Sequence, residues 1–239
     1  MVRTDLVKSS AKSHVATSNA PPKIVVVIAP KGGVGKSTLT MSLLVSARKT
    51  GVLVLGVNMD PQATLNKWAI RRQNMIADNP AADIAVIPVE TIEPGNWREL
   101  KRLRGYELVI VDTPPGHADT QHAIRSMCDV ADVVLVPTSA AGVDLEEIIP
   151  FGVNVASGRA IFVLNRVNRR TKSFSRAKLE LVKAGELYPS DIPSLEAIPT
   201  QYDLGLAVTD FGEPGAADLD ALWHFVRRQA GLAPVVPHG

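Results

Sequence analysis

The sequence predicts an α/β fold: a single doubly wound, mainly parallel sheet with helices on both faces. Three observations predict it. Short β-branched runs alternate with helix-period segments along the whole chain. The first run, 24–28, leads straight into Gly32, Gly33 and Gly35 and then into a helical pattern. A later run ends in Asp112, followed by the turn-forming Thr-Pro-Pro-Gly.

The bulk numbers fit that class. At 239 residues the chain can bury one sizeable core. It is 46% hydrophobic and 21% charged, ordinary for a globular protein. A net charge of +2 is too small to argue for nucleic acid by itself. One cysteine, Cys128, excludes an intrachain disulfide framework and suits a reducing compartment. No apolar run approaches the roughly 18–20 residues of a membrane span. Lys8 and Lys12 precede no apolar stretch, so the start does not read as a secretory signal.

Three parts are expected. Residues 1–22, rich in Ser, Ala, Thr and Lys and ending in Pro21-Pro22, read as a flexible arm, too short for a helix-turn-helix. Residues 23–230 form the globular domain, and 231–239 a tail.

Ile24 to Ile28 reads as a buried parallel strand. The glycines after it permit a tight turn that brings bare N–H groups against an anion. A helix starting near Lys36 adds its positive end. In that context Lys36 reaches the β- and γ-phosphates of a nucleotide and the Ser37 hydroxyl ligates Mg²⁺, with Gly32, Gly33, Val34, Gly35 and Thr38 completing the cradle.

Gly51 stops the first helix. A second strand, 52–57, delivers Asn58, Met59, Asp60, Pro61 and Gln62. A helix over 62–72, a third strand over 83–89 and a short basic helix over 96–104 follow. The fourth strand ends at Asp112, residues 121–128 are helical, and 132–137 is the fifth strand. His117 and His122 have no third ligand at metal-site spacing and read as polar residues. After a loop over 138–144, a helix from Leu145 is interrupted or kinked by Pro150.

The sixth strand, 159–165, ends in Asn165. The densest basic run follows: Arg166, Arg169, Arg170, Lys172, Arg176, Lys178 and Lys183, over a loop and a helix at 173–184. Residues 191–198 make a short edge strand at best, 203–208 a short helix, and 212–215 a turn. The final helix, 216–230, carries Leu219, Leu222, Trp223 and Val226 on one face and is expected to pack in the core.

The string Lys31-Gly-Gly-Val-Gly-Lys-Ser37 resembles the deviant Walker A box of the ParA/MinD superfamily. Asp60-Pro-Gln and Asp112-Thr-Pro-Pro resemble its second acidic box and its Walker B switch. The resemblance covers roughly 23–228 and is strongest to short ParA-type partition ATPases. It implies ATP and Mg²⁺ as cofactors, slow ATP hydrolysis, and a homodimer closed over two nucleotides. By it Lys31 crosses to the partner's phosphates, Asp60 positions the attacking water, and Asp112 joins Ser37 at the metal. Asn165 and Pro199 line the adenine pocket, and an arginine common near Gln201 is missing. The resemblance further implies that Arg169, Arg170, Lys172 and Arg176 bind DNA non-specifically, that the chain is cytoplasmic and nucleoid-associated, and that a ParB-like or other adaptor stimulates hydrolysis. The cargo it implies is a plasmid, a chromosome or a protein compartment. Asn58 stands where the family usually has an aspartate, which removes a charge near the metal. Three alternatives stay open: a MinD-like membrane-associated regulator, an ATP-dependent carboxylate ligase of the dethiobiotin or cobyrinate synthetase type, and a non-hydrolysing ATP switch. Iron–sulfur relatives are disfavoured, since Cys128 has no partner at cluster spacing.

Overall fold

A computed structural model describes residues 20–116, 119–156 and 158–234. The expectations for 1–19 of the arm, for His117 and for 235–239 of the tail lie outside the described residues.

The strands are β1 (Lys23–Val27), β2 (Val54–Asn58), β3 (Val89–Thr91), β4 (Leu108–Asp112), β5 (Val133–Thr138), β6 (Ala160–Val167), β7 (Glu186–Leu187) and β8 (Ile192–Pro193). Every pairing is parallel, in the order β3-β2-β4-β1-β5-β6-β7, with β8 beside the end of β6. The helices are α1 (Lys36–Lys49), α2 (Thr64–Asp78), α3 (Gln121–Val130), α4 (Gly142–Val155), α5 (Lys172–Ala184), α6 (Ala197–Asp203), α7 (Val208–Phe211) and α8 (Ala216–Gln229), with a 3-10 segment at Pro94–Arg102.

Alternation along β1 builds two cores. Val25 and Val27 face a layer made by α1, α2, α7 and α8, where Leu39, Leu43, Trp68 and Trp223 are buried. Ile24, Val26 and Ile28 face the layer of α3, α4 and α5, with Ile124, Ile148 and Leu181. Both faces of the central strands are therefore dry, which is why they read as continuous apolar runs. The apolar stripe of α8 lies in the first core, with Leu222, Trp223 and Val226 fully buried. Among the described residues, no helix is long and apolar enough to cross a membrane.

A buried ion pair ties the first layer together. Arg72 on α2 makes a two-pronged contact with Asp210 on α7, at 2.7 and 2.8 Å, with side chains 1% and 2% exposed. Trp68 Nε1 donates to the Leu206 carbonyl at 3.0 Å beside it.

Several expected boundaries shift. The third strand is not 83–89 but Val89–Thr91. Pro88 has no N–H, and the ladder starts only where the Gly56 amide reaches the Pro88 carbonyl at 3.0 Å. The short helix is not 203–208 but Ala197–Asp203. Pro199 sits in its first turn, where no intrahelical donor is needed, and Gly205 at φ +76° ends it. Helix α4 begins before Leu145 and runs through Pro150 without a break. β7 was not expected.

Candidate functional site

β1 and β5 are neighbours, and the chain runs from β1 toward β2 on one side and from β5 toward β6 on the other, so the loop after β1 opens at a switch point of the sheet. Gly33 and Gly35 take φ of +79° and +95°, a region that penalises other residues. Gly35 is restricted twice over: a Cβ there would lie 2.2 Å from Asn165 Nδ2.

Side-chain donors engage three carbonyls of this loop. Lys36 Nζ donates to Lys31 O at 3.3 Å, Arg166 Nη1 to Gly33 O at 2.8 Å, and Asn165 Nδ2 to Val34 O at 2.8 Å. Carbonyl oxygens repel an anion, so tying them to the protein suits a loop whose N–H groups must receive one. Lys36 is buried, and burial lowers its pKa, opposed by the Asp112 and Asp60 carboxylates.

Asp112 is in register with Val27 on one side and Asn58 on the other. It is fully buried, and neither carboxylate oxygen has a hydrogen-bond partner. Burial pushes its pKa up to about 7. Ser37 and the Lys36 ammonium oppose the rise, although Ser37 closes no hydrogen bond of ordinary geometry. Two orphaned carboxylate oxygens beside a lysine and a serine fit a hard cation. Among the described residues no group of His, Cys, Asp and Glu could hold a metal alone. A cation here would complete its shell from phosphate oxygens and water.

Asp60 is buried at the end of β2, where its Oδ1 accepts from the Gln62 amide at 2.9 Å. Asn58 Nδ2 donates to the Asp60 carbonyl at 3.0 Å, and Asn58 Oδ1 is left without a donor. Asp60 shapes the turn through its contact with Gln62 and also lines the cavity.

The cavity has a volume of about 490 Å³, within the range of small-molecule and cofactor sites. The phosphate loop forms its floor, Asp60, Gln62 and Thr64 one side, and Asn165, Ile192, Pro193, Ile198 and Pro199 the other. The structure therefore brings Lys36, Ser37, Asp60, Asn165 and Pro199 to one space. In this state Asn165 spends its amide N–H on the loop, leaving its Oδ1 for a ligand.

Lys31 does not point freely outward. Its ammonium pairs with Asp144 on α4, and Glu147 Oε2 stands 3.8 Å away. Ser139 Oγ donates to the other Asp144 oxygen at 2.5 Å. The basic run is divided. Arg169 bridges Asp191 at 2.6 Å and Asp218 at 2.9 Å, and Arg176 pairs with Glu180 at 2.7 Å. Lys172 and Arg176 line a separate cavity of about 300 Å³ against the start of α4. Asp144, Glu147 and the contact of Arg166 with the loop were not legible in the sequence.

The model of the CobQ/CobB/MinD/ParA nucleotide binding domain matches residues 25–208. A curated relative, the maintenance of carboxysome distribution protein A of Gloeobacter kilaueensis, is 35% identical over 136 residues. That match takes in 55% of this chain and 56% of the relative, so the chain spans about half the relative's length. Among solved structures, the ATP complex of McdA from Cyanothece superposes with a TM-score of 0.65 at 17% identity, over 91% of this chain and 99% of that one. The septum site-determining protein MinD of Pyrococcus horikoshii, complexed with Mg-ADP, gives 0.68 at 21% identity, over 88% and 98%. At such identities these two likenesses establish the fold.

Proposed function

The chain belongs to the CobQ/CobB/MinD/ParA nucleotide-binding family, and from that premise we propose that it is an ATPase that positions a cargo by closing and opening a dimer. Residues 23–230 act as the ATPase unit. ATP sits in the 490 Å³ cavity, its phosphates on the N–H groups of 32–38 and on Lys36, its base between Asn165 and Pro199. Ser37 and Asp112 hold Mg²⁺, which supplies charge neutralisation to the phosphates when bound. Asp60 positions the attacking water. Lys31 leaves Asp144 and reaches the partner's phosphates when two copies meet.

The observation that carries the reading is the ligand-shaped deficit at Asp112. A carboxylate with two bare oxygens, buried beside a lysine ammonium at the end of the phosphate loop, is costly unless a cation completes it. Asn58 favours slow turnover, since its amide replaces a charge next to that carboxylate.

In this reading the dimer binds DNA non-specifically through the basic run, associates with the nucleoid, and answers to a ParB-like or other adaptor. The relative that distributes carboxysomes favours a protein compartment over a plasmid as cargo. The test is a mobility shift on unrelated duplex with and without ATP–Mg²⁺, paired with phosphate release. ATP-dependent retention supports the reading; ATP binding with no retention at low salt would remove DNA from it.

A further inference from the structure

Among the described residues, Ala63 and Arg166 are the non-glycine residues with a left-handed backbone, and of the two Arg166 lines the cavity. Its φ is +56°, a conformation that costs an arginine free energy and costs a glycine almost none. It occurs at a bulge: Asn165 and Val167 of β6 pair with Ile192 and Pro193, and the register shifts between them. Bulges re-aim side chains, and this one turns the Arg166 guanidinium onto the Gly33 carbonyl, at 2.8 Å, at the mouth of the cavity. Among the described residues, this is the one hydrogen bond the Arg166 side chain makes. The side chain is exposed, and no carboxylate among the described residues pairs with it. Lys31, Arg169 and Arg176, by contrast, are each held by acids.

We infer that Arg166 is a positioning residue of the nucleotide site, fixing the Gly33 peptide so that the phosphate loop is set before its ligand arrives. The inference rests on the nucleotide reading of this cavity. With the Gly33 and Val34 carbonyls tied by consecutive residues of one strand end, the loop cannot turn those oxygens toward a phosphate. The guanidinium keeps further donors and its full charge, which favours a polyanionic ligand over an uncharged one. Arg166 thereby links the end of β6 to the loop after β1, two strands away in the sheet.

The test uses Arg166→Gly, which the backbone accepts, and Arg166→Lys, which keeps the charge. Calorimetric affinity for ATP–Mg²⁺ and the unfolding midpoint without ligand are measured on the full chain. Arg166→Gly is expected to bind ATP about tenfold more weakly, as for one charge-assisted hydrogen bond, with an unchanged or raised midpoint. Arg166→Lys is expected to recover part of the loss. Wild-type affinity in Arg166→Gly would overturn the inference. So would a midpoint that falls together with affinity, which marks a purely structural contact. An unaltered chain that binds no ATP would instead remove the nucleotide reading on which the inference stands.

Discussion

The Lys31 ammonium rests on the Asp144 carboxylate of its own chain. That contact is the main reason the Lys31 pKa is raised. Burial alone would push Asp144 up, but Lys31 and the Ser139 hydroxyl overcome it and hold it below its ordinary value. A lysine so held cannot serve a second copy at the same time.

Asp144→Asn should therefore release it. With Lys31 33% exposed, each pair is worth about 1 kcal/mol at most, and a dimer breaks two of them, so ATP-dependent dimers should form at up to roughly thirtyfold lower protein concentration. Lys31→Ala should keep ATP binding and lose the dimer. Sedimentation or light scattering checks both, and an unmoved dimerisation midpoint in Asp144→Asn would retire the latch.

Lys36→Ala removes the buried cation from the loop. Loss of one or two charged hydrogen bonds predicts ATP affinity down by on the order of a hundredfold, read by calorimetry. Ordinary affinity in that variant would contradict the phosphate-loop assignment.

Asp60→Ala should lower adaptor-stimulated turnover by roughly a hundredfold or more while ATP still binds. Asn58→Asp adds a carboxylate beside Asp112 and should raise turnover with Mg²⁺ while destabilising the metal-free protein. Steady-state phosphate release with varied Mg²⁺ distinguishes the two variants.

Asp112 predicts a pH signature in metal-free protein. Its folded pKa of about 7 lies above the ordinary 3.8, so the native state holds the proton more tightly. Stability is then greatest below the ordinary value and is lost as pH rises through the interval to about 7. Asp112→Asn should flatten that decline, with its largest gain in unfolding midpoint near about pH 8, a smaller one near about pH 5 and the least below about pH 4. A pH-independent difference would show that the carboxyl is not the titrating group.

Arg169 and its neighbours separate stability from binding. Arg169→Ala leaves Asp191 mostly buried without its partner and should cost on the order of 1 kcal/mol of stability. Charge reversal at Arg170 and Lys172 should leave the unfolding midpoint in place and weaken DNA binding. Each lost phosphate contact should flatten the log-salt slope by about 0.9. Unchanged retention would move the DNA surface elsewhere.

The strands β1, β4 and β5 were legible because both their faces are buried and β-branched residues fill them. The phosphate loop was legible because its glycines, lysine and serine are adjacent in the chain. What escaped was long-range. Lys31 and Asp144 are 113 positions apart, and Arg166 and Gly33 are 133 apart. Periodicity carries no record of either. The third strand and the helix at Ala197–Asp203 escaped for a different reason: Pro88 and Pro199 act on the hydrogen-bond ladder, which an apolar pattern does not report.

The Arg72–Asp210 pair has a mechanical consequence. Helix α2 continues from the turn that holds Asp60, and α7 follows directly after the helix that carries Pro199. Because the ion pair between them is dry, separating the two helices would strand a charge in the interior at roughly 3–5 kcal/mol. The two banks of the cleft are thus riveted into one jaw. Whatever tilts Asp60 carries the Pro199 wall of the cavity along with it.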